Sequence, residues 1–155
     1  MEFEEYKQEE QREEDYVDIY SRKAIFWFSV FNFIYGGVLL CINLWVAGYR
    51  KAVAEVLIFL LLVQFSYVMA IRYSGINISP EVIKKAASGV PLTVNEMIPL
   101  LQVAGITIAF HIAAAFILSR YFFRKYFPDD DYYPKPIFRP LIIYIILALC
   151  TRFMI

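Results

Sequence analysis

The stretch "AIFWFSVFNFIYGGVLLCINLWVA" (24–47) carries no charged residue over 24 positions. A 30 Å hydrocarbon layer asks for about 20 apolar residues of helix, so the run is long enough to cross one in a single pass. Read that way it is a membrane span, and the rest of the chain has to be organised around it. It follows an acidic segment and lacks a small-residue cleavage pattern, so it is expected to be retained rather than removed as a leader.

Composition points the same way. Sixty per cent of the 155 residues are hydrophobic and the mean hydropathy is +0.54. A water-soluble domain of this size leaves too much of its surface facing solvent to bury so large an apolar share. Two further runs have spanning length: "AVAEVLIFLLLVQFSYVMAI" (52–71), with only Glu55 near its start, and "IPLLQVAGITIAFHIAAAFILS" (98–119), with only His111. A fourth, "PLIIYIILALC" (140–150), runs into Arg152 and is short. The expected fold is therefore all-α: a polytopic four-helix transmembrane bundle with spans near 24–47, 52–72, 97–120 and 138–155. Three of those spans are firm and the fourth is short or partial.

Residues 1–23 form a separate acidic tail. Nine acids against Lys7 and Arg12 give Met1 to Ser21 a charge of about −7, which the remainder balances to a net charge of zero. The tail is expected to be a solvated, partly helical leader. An acidic tail and short basic loops argue against nucleic acid as a partner. Cys41 and Cys150 both sit in apolar runs, where thiols behave as small hydrophobes, and no disulfide framework or metal site is expected from two such residues.

Local signals shape the connections. Gly48 to Lys51 is short enough to force an antiparallel hairpin of its two flanking helices. Ser79, Pro80 and Glu81, followed by Lys84, Lys85 and Gly89, have the order of N-cap, first-turn proline, cationic end and C′ glycine, which predicts a short amphipathic loop helix. "TVNE" (93–96) reads as a capping box opening the third span. The segment 120–140 sets Arg120, Arg124 and Lys125 among aromatic rings, the composition of a loop lying at headgroup level. Asp129 to Asp131 read as a solvated turn rather than a calcium site. Side by side, six cations flank the membrane with the N-terminus and seven lie opposite, nearly a tie; the N-terminus is expected in the cytoplasm.

The polar residues inside the spans are the candidate site. Ser29, Asn32, Gly36 and Asn43 recur at a spacing that puts them on one narrow helix face. Gln64 lies near the middle of the second span. On the third, Gly105, Ala109 and Ala113 form a small-residue ridge opposite Thr107 and His111, which suggests a central helix with two packing faces. Asn32, Gln64 and His111 share a midplane depth. His111, the only histidine, admits two readings: a neutral imidazole hydrogen-bonded to Asn32, Gln64 or a backbone carbonyl, or one member of a proton or ion pathway. No second titratable group lies at its depth, so the first reading is preferred. One histidine without acids or cysteines at ligand spacing builds neither a zinc nor a haem site, so no cofactor is expected. Ser29, Ser66 and Ser119 share that one histidine at mismatched depths, so no hydrolytic set forms and a non-enzyme is expected.

The function expected is that of a small integral membrane protein acting by helix–helix interaction. Its partners would be the bilayer and another membrane protein or a second copy of itself, as in accessory subunits and in immunity or exclusion proteins. The alternative is a proton or ion pathway around His111.

Overall fold

The computed structural model describes residues 18–128 and 132–154. The acid-rich part of the tail and the Asp129–Asp131 turn lie outside the described residues. The fold is mostly helical (78%), and two helices are long and apolar enough to cross a membrane. The elements are β1 (Asp18–Ile19), α1 (Arg22–Phe31), α2 (Phe33–Val46), α3 (Arg50–Tyr73), α4 (Pro80–Ala87) and α5 (Val94–Phe116). A π-helical turn (Ile117–Phe122), α6 (Phe123–Tyr126), β2 (Tyr133–Pro134) and α7 (Phe138–Met154) complete the chain.

The run 24–47 is not one rod. Asn32 takes an extended conformation (φ −155°, ψ 107°), ending α1 and capping α2: its Oδ1 accepts from the N–H groups of Ile34 (3.0 Å) and Tyr35 (3.2 Å). Beyond the break the chain doubles back. Phe28 packs edge-on against Tyr35, and at the open end Tyr20 meets Asn43, so α1 and α2 are antiparallel halves of a helical hairpin. Two half-length helices of 10 and 14 residues replace the expected 24-residue span. The side-chain amide makes this possible, because it satisfies the two backbone donors that a helix start leaves bare.

α2 is the central helix. Its buried positions, Phe33, Gly36, Gly37, Leu39, Leu40, Asn43 and Leu44, follow helical spacing and make up half of the helix, filling one broad face. A Cβ on Gly36 would lie 2.7–2.8 Å from the backbone of Ser29 in α1, and one on Gly37 would lie 2.5 Å from Leu60 in α3. Two adjacent glycines therefore thin α2 toward two different neighbours. The central role expected for the third span falls to α2 instead, and α5 buries only Ala114 and Ala115.

The turn after α2 is as tight as its length predicts. Gly48 adopts φ +82° and Tyr49 N–H reaches Leu44 O at 2.8 Å, turning the chain into α3. α4 has the expected caps. Ser79 Oγ accepts from Val82, and Gly89 (φ +71°) closes a Schellman motif in which Val90 N–H donates to Lys85 O at 3.0 Å. Glu96 accepts from Thr93 N–H at 2.8 Å and from Lys85 Nζ at 2.7 Å, tying α4 to the start of α5 and holding the Lys85 ammonium above the usual lysine range.

The third span does not end at Ser119 or Arg120. A continuous helical path runs from Val94 to Tyr126. The π turn widens it where Leu118, Ser119 and Phe122 enter the core, and Ser119 Oγ donates to Ala115 O at 2.7 Å. Arg120, Arg124 and Lys125 thus belong to the last turns of a helix, not to a surface loop. β1 and β2 form a two-residue parallel pair, extended by Lys135 N–H to Ile19 O at 2.8 Å. Ile19 is wholly buried, so the chain is already packed at a point that the sequence assigns to the solvated tail.

Candidate functional site

The polar residues act at separate points of the hairpin, Asn43 at its open end. Asn43, 1% exposed, grips the backbone of Tyr20 from both sides: Tyr20 N–H donates to Oδ1 (2.8 Å) and Nδ2 donates to Tyr20 O (2.7 Å). One primary amide thereby satisfies a donor and an acceptor that would otherwise be orphaned beside the start of α1. Ser29 lies against Gly36, and its buried hydroxyl has no hydrogen-bond partner among the described residues. The spacing that suggested one polar face on one helix is in fact the inner seam of two.

His111 closes the other end. Its Nδ1 lies 3.1 Å from Val30 O, and its ring meets Phe33 edge-on at 5.4 Å. A carbonyl only accepts, so Nδ1 carries the proton in this contact. Val30 is in the last turn of α1, where carbonyls lack intrahelical donors, so the imidazole caps the helix from a neighbouring element. Its partner is the backbone carbonyl, not Asn32 or Gln64. Asn32 Oδ1 is occupied by its own helix, and Gln64 is half-buried on α3 with no hydrogen bond to either. The three do not form a connected cluster among the described residues.

Thr107 finds a partner that the sequence did not pair with it. Its hydroxyl donates to Val103 O (2.8 Å) and accepts from Tyr67 OH (3.0 Å), linking α5 to α3. Gly105, Ala109 and Ala113 point away from the chain's own helices: all three are exposed, and nothing lies within 4 Å of a Cβ added at Gly105. No protein-family model, curated protein or solved structure matches the chain.

At the other end of α5, Glu55 accepts from Lys125 Nζ and Tyr126 OH, both at 2.9 Å. Arg50 stacks on Trp45 (5.4 Å) and Arg120 on Phe116 (5.9 Å). Both members of the Glu55–Lys125 pair are more than two-fifths exposed, so it fixes geometry more than it adds stability. The approach of Gly37 to Leu60 and the pairing of Tyr67 with Thr107 are the contacts that sequence reading missed. "YGG" (35–37) was a usable signal for the first, since adjacent glycines in an apolar helix mark close approach on two sides; the second had no local signal.

His111→Phe is expected to keep the ring contact with Phe33 and lose the bond to Val30 O. The predicted cost is about 1 kcal/mol, typical of an interhelical hydrogen bond in lipid, measured by denaturant titration in detergent. A loss near zero would mean that Val30 O is satisfied without the imidazole.

Proposed function

We propose that the chain is a non-enzymatic integral membrane protein that works by lateral association with another membrane protein. The observation that carries this reading is that the most apolar windows of α3 and of the α5–α6 rod are only 11% buried within the chain. Leu57, Leu61 and Phe65 on α3 and Leu101 and Ile108 on α5 are all exposed. A soluble protein would hide such helices in its core; uncovered, they call for lipid as solvent. The α1–α2 hairpin enters from one end and turns near His111, about 22 Å of helix from Tyr126, so it reads as re-entrant rather than spanning. Its non-helical Asn32 is tolerable there because the amide and the packed neighbours satisfy the backbone.

The docking face is the exposed ridge Gly105, Ala109 and Ala113, whose missing side chains let a second helix approach closely. Ala109→Leu is predicted to abolish co-isolation of the partner, or of a tagged second copy, in mild detergent while leaving thermal stability unchanged. Retained association with the leucine in place would sink the ridge as the docking face. The pathway reading lacks comparable support, since His111, Asn32 and Gln64 are separately engaged or apart.

The hairpin also changes the charge count. Because β1 pairs with β2 and Tyr20 meets Asn43, the ends of α1, α2, α6 and β2 lie together. Arg22, Lys23, Arg50, Lys51, Arg120, Arg124, Lys125, Lys135 and Arg139 then flank one side, against Arg72, Lys84, Lys85 and, in the last turn of α7, Arg152 at the far end. Nine against four favours a cytoplasmic basic end, with the acidic tail on that side. In a background lacking Cys41 and Cys150, Lys51→Cys is expected to resist a membrane-impermeant maleimide added to intact cells, and Ser88→Cys to react. The reverse labelling would invert the topology.

A further inference from the structure

Between α1 and α7 runs a groove of about 560 Å³, floored by Ala24 and Phe28 and walled by Trp27, Phe31, Leu141 and Ile145. Its lining is apolar except at one end, where Ser21 and Lys23 stand; Tyr144 lies deeper in the wall. Lys23 is exposed and makes no ion pair among the described residues. From Ser21 to Phe31 the groove follows α1 for about 15 Å, the depth of one leaflet's hydrocarbon.

We infer that this groove holds one chain of an anionic phospholipid, with the phosphate at Lys23. The inference rests on the membrane reading above. Three features select this occupant. The polarity is in register with a lipid: cation and hydroxyl sit at the headgroup end, and apolar walls lie below. The groove opens on the basic end, where eight further cations raise the local concentration of anionic headgroups. The dimensions suit it as well: a groove of about 560 Å³ running about 15 Å along α1 takes an extended hydrocarbon chain. Pro140 O is held by Tyr35 OH at 2.6 Å, and Tyr144 packs on Phe28 and Tyr35, so α7 is pinned as a wall.

The test uses the full chain in phosphatidylcholine nanodiscs containing a small fraction of phosphatidylglycerol with brominated chains, in a Trp45→Phe background so that Trp27 alone reports. Quenching of Trp27 beyond the bulk mole fraction, with one phosphatidylglycerol retained in native mass spectrometry, is the expected result. Lys23→Gln lowers the preference for phosphatidylglycerol over phosphatidylcholine about fivefold. Leu141→Trp, which fills the groove, removes the retained lipid. Quenching that merely follows mole fraction with no retained lipid overturns the site, as does a co-purifying polypeptide protecting Trp27 instead. Alkaline carbonate separates the two levels: a protein that stays in the membrane pellet yet retains no lipid sinks the groove alone, and one released to the supernatant sinks the membrane reading itself.

Discussion

Gly36→Ala should open the hairpin. In an unencumbered helix, alanine for glycine gains up to about 1 kcal/mol of propensity. Here the added carbon would fall 2.7 Å from Ser29 N and 2.8 Å from Ser29 Cα, inside any real Cβ contact. Those are backbone atoms, so relief requires the two helices to separate rather than a side chain to swing. Overpacking typically costs about 1–3 kcal/mol, and with no rotamer escape the upper end is expected, outweighing the propensity gain. Thermal denaturation in detergent checks the sign. The same substitution at Gly105, where nothing lies nearby, is expected to stabilise the isolated protein. Gly37→Ala falls between the two, because its obstacle is the end of the Leu60 side chain, and Leu60→Ala should restore part of the loss. A Gly36→Ala variant as stable as the parent would mean that α1 and α2 are not packed backbone to backbone.

The second large effect is expected at Asn43. Asn43→Leu keeps the volume but leaves the Tyr20 N–H and C=O without the partners at 2.8 and 2.7 Å. An unmet buried polar group costs about 1–3 kcal/mol, so losing two predicts roughly 2–6 kcal/mol and release of the segment around β1. Hydrogen exchange at the Tyr20 amide is the direct readout: protected in the parent, fast in the variant. Asn43→Asp sharpens the test, since it keeps an acceptor for Tyr20 N–H but sets a carboxylate against Tyr20 O. It should be destabilised at neutral pH and improve as the carboxyl protonates in acid. Unchanged exchange in Asn43→Leu would show that Tyr20 is held by something other than the amide.

These two residues show how far the sequence could be read. Ser29, Asn32, Gly36 and Asn43 were legible as a set that must face protein, because amides and small residues in an apolar run are not left to lipid. Their geometry was not. A spacing of three, seven and fourteen marks one face of a straight helix, and it also marks the seam of a hairpin folded near its middle. Nothing in the pattern distinguishes the two. His111 was legible as a buried donor seeking a partner, and a backbone carbonyl was among the partners considered. Which carbonyl depended on a helix end that exists only because the chain breaks at Asn32. The Gly105 ridge was read as a close-approach surface for a neighbouring helix, yet it lies outside the chain's own packing, with nothing within 4 Å of a Cβ added at Gly105.

What the sequence by itself determined is local: the apolar lengths of α3 and α5, the caps of α4, the Glu96 box and the tight turn at Gly48. Each follows from residues within a few positions of one another, where rise per residue, missing donors and positive φ act directly. Only the tertiary structure decided that the 24–47 run is two helices, that α2 is the centre, and that the basic residues gather at one end. Hydropathy measures how much apolar surface must be hidden and says nothing about direction along the chain. The choice was made by contacts between residues 23 and 81 apart, Tyr20 with Asn43 and His111 with Val30, whose strength depends on three-dimensional closure.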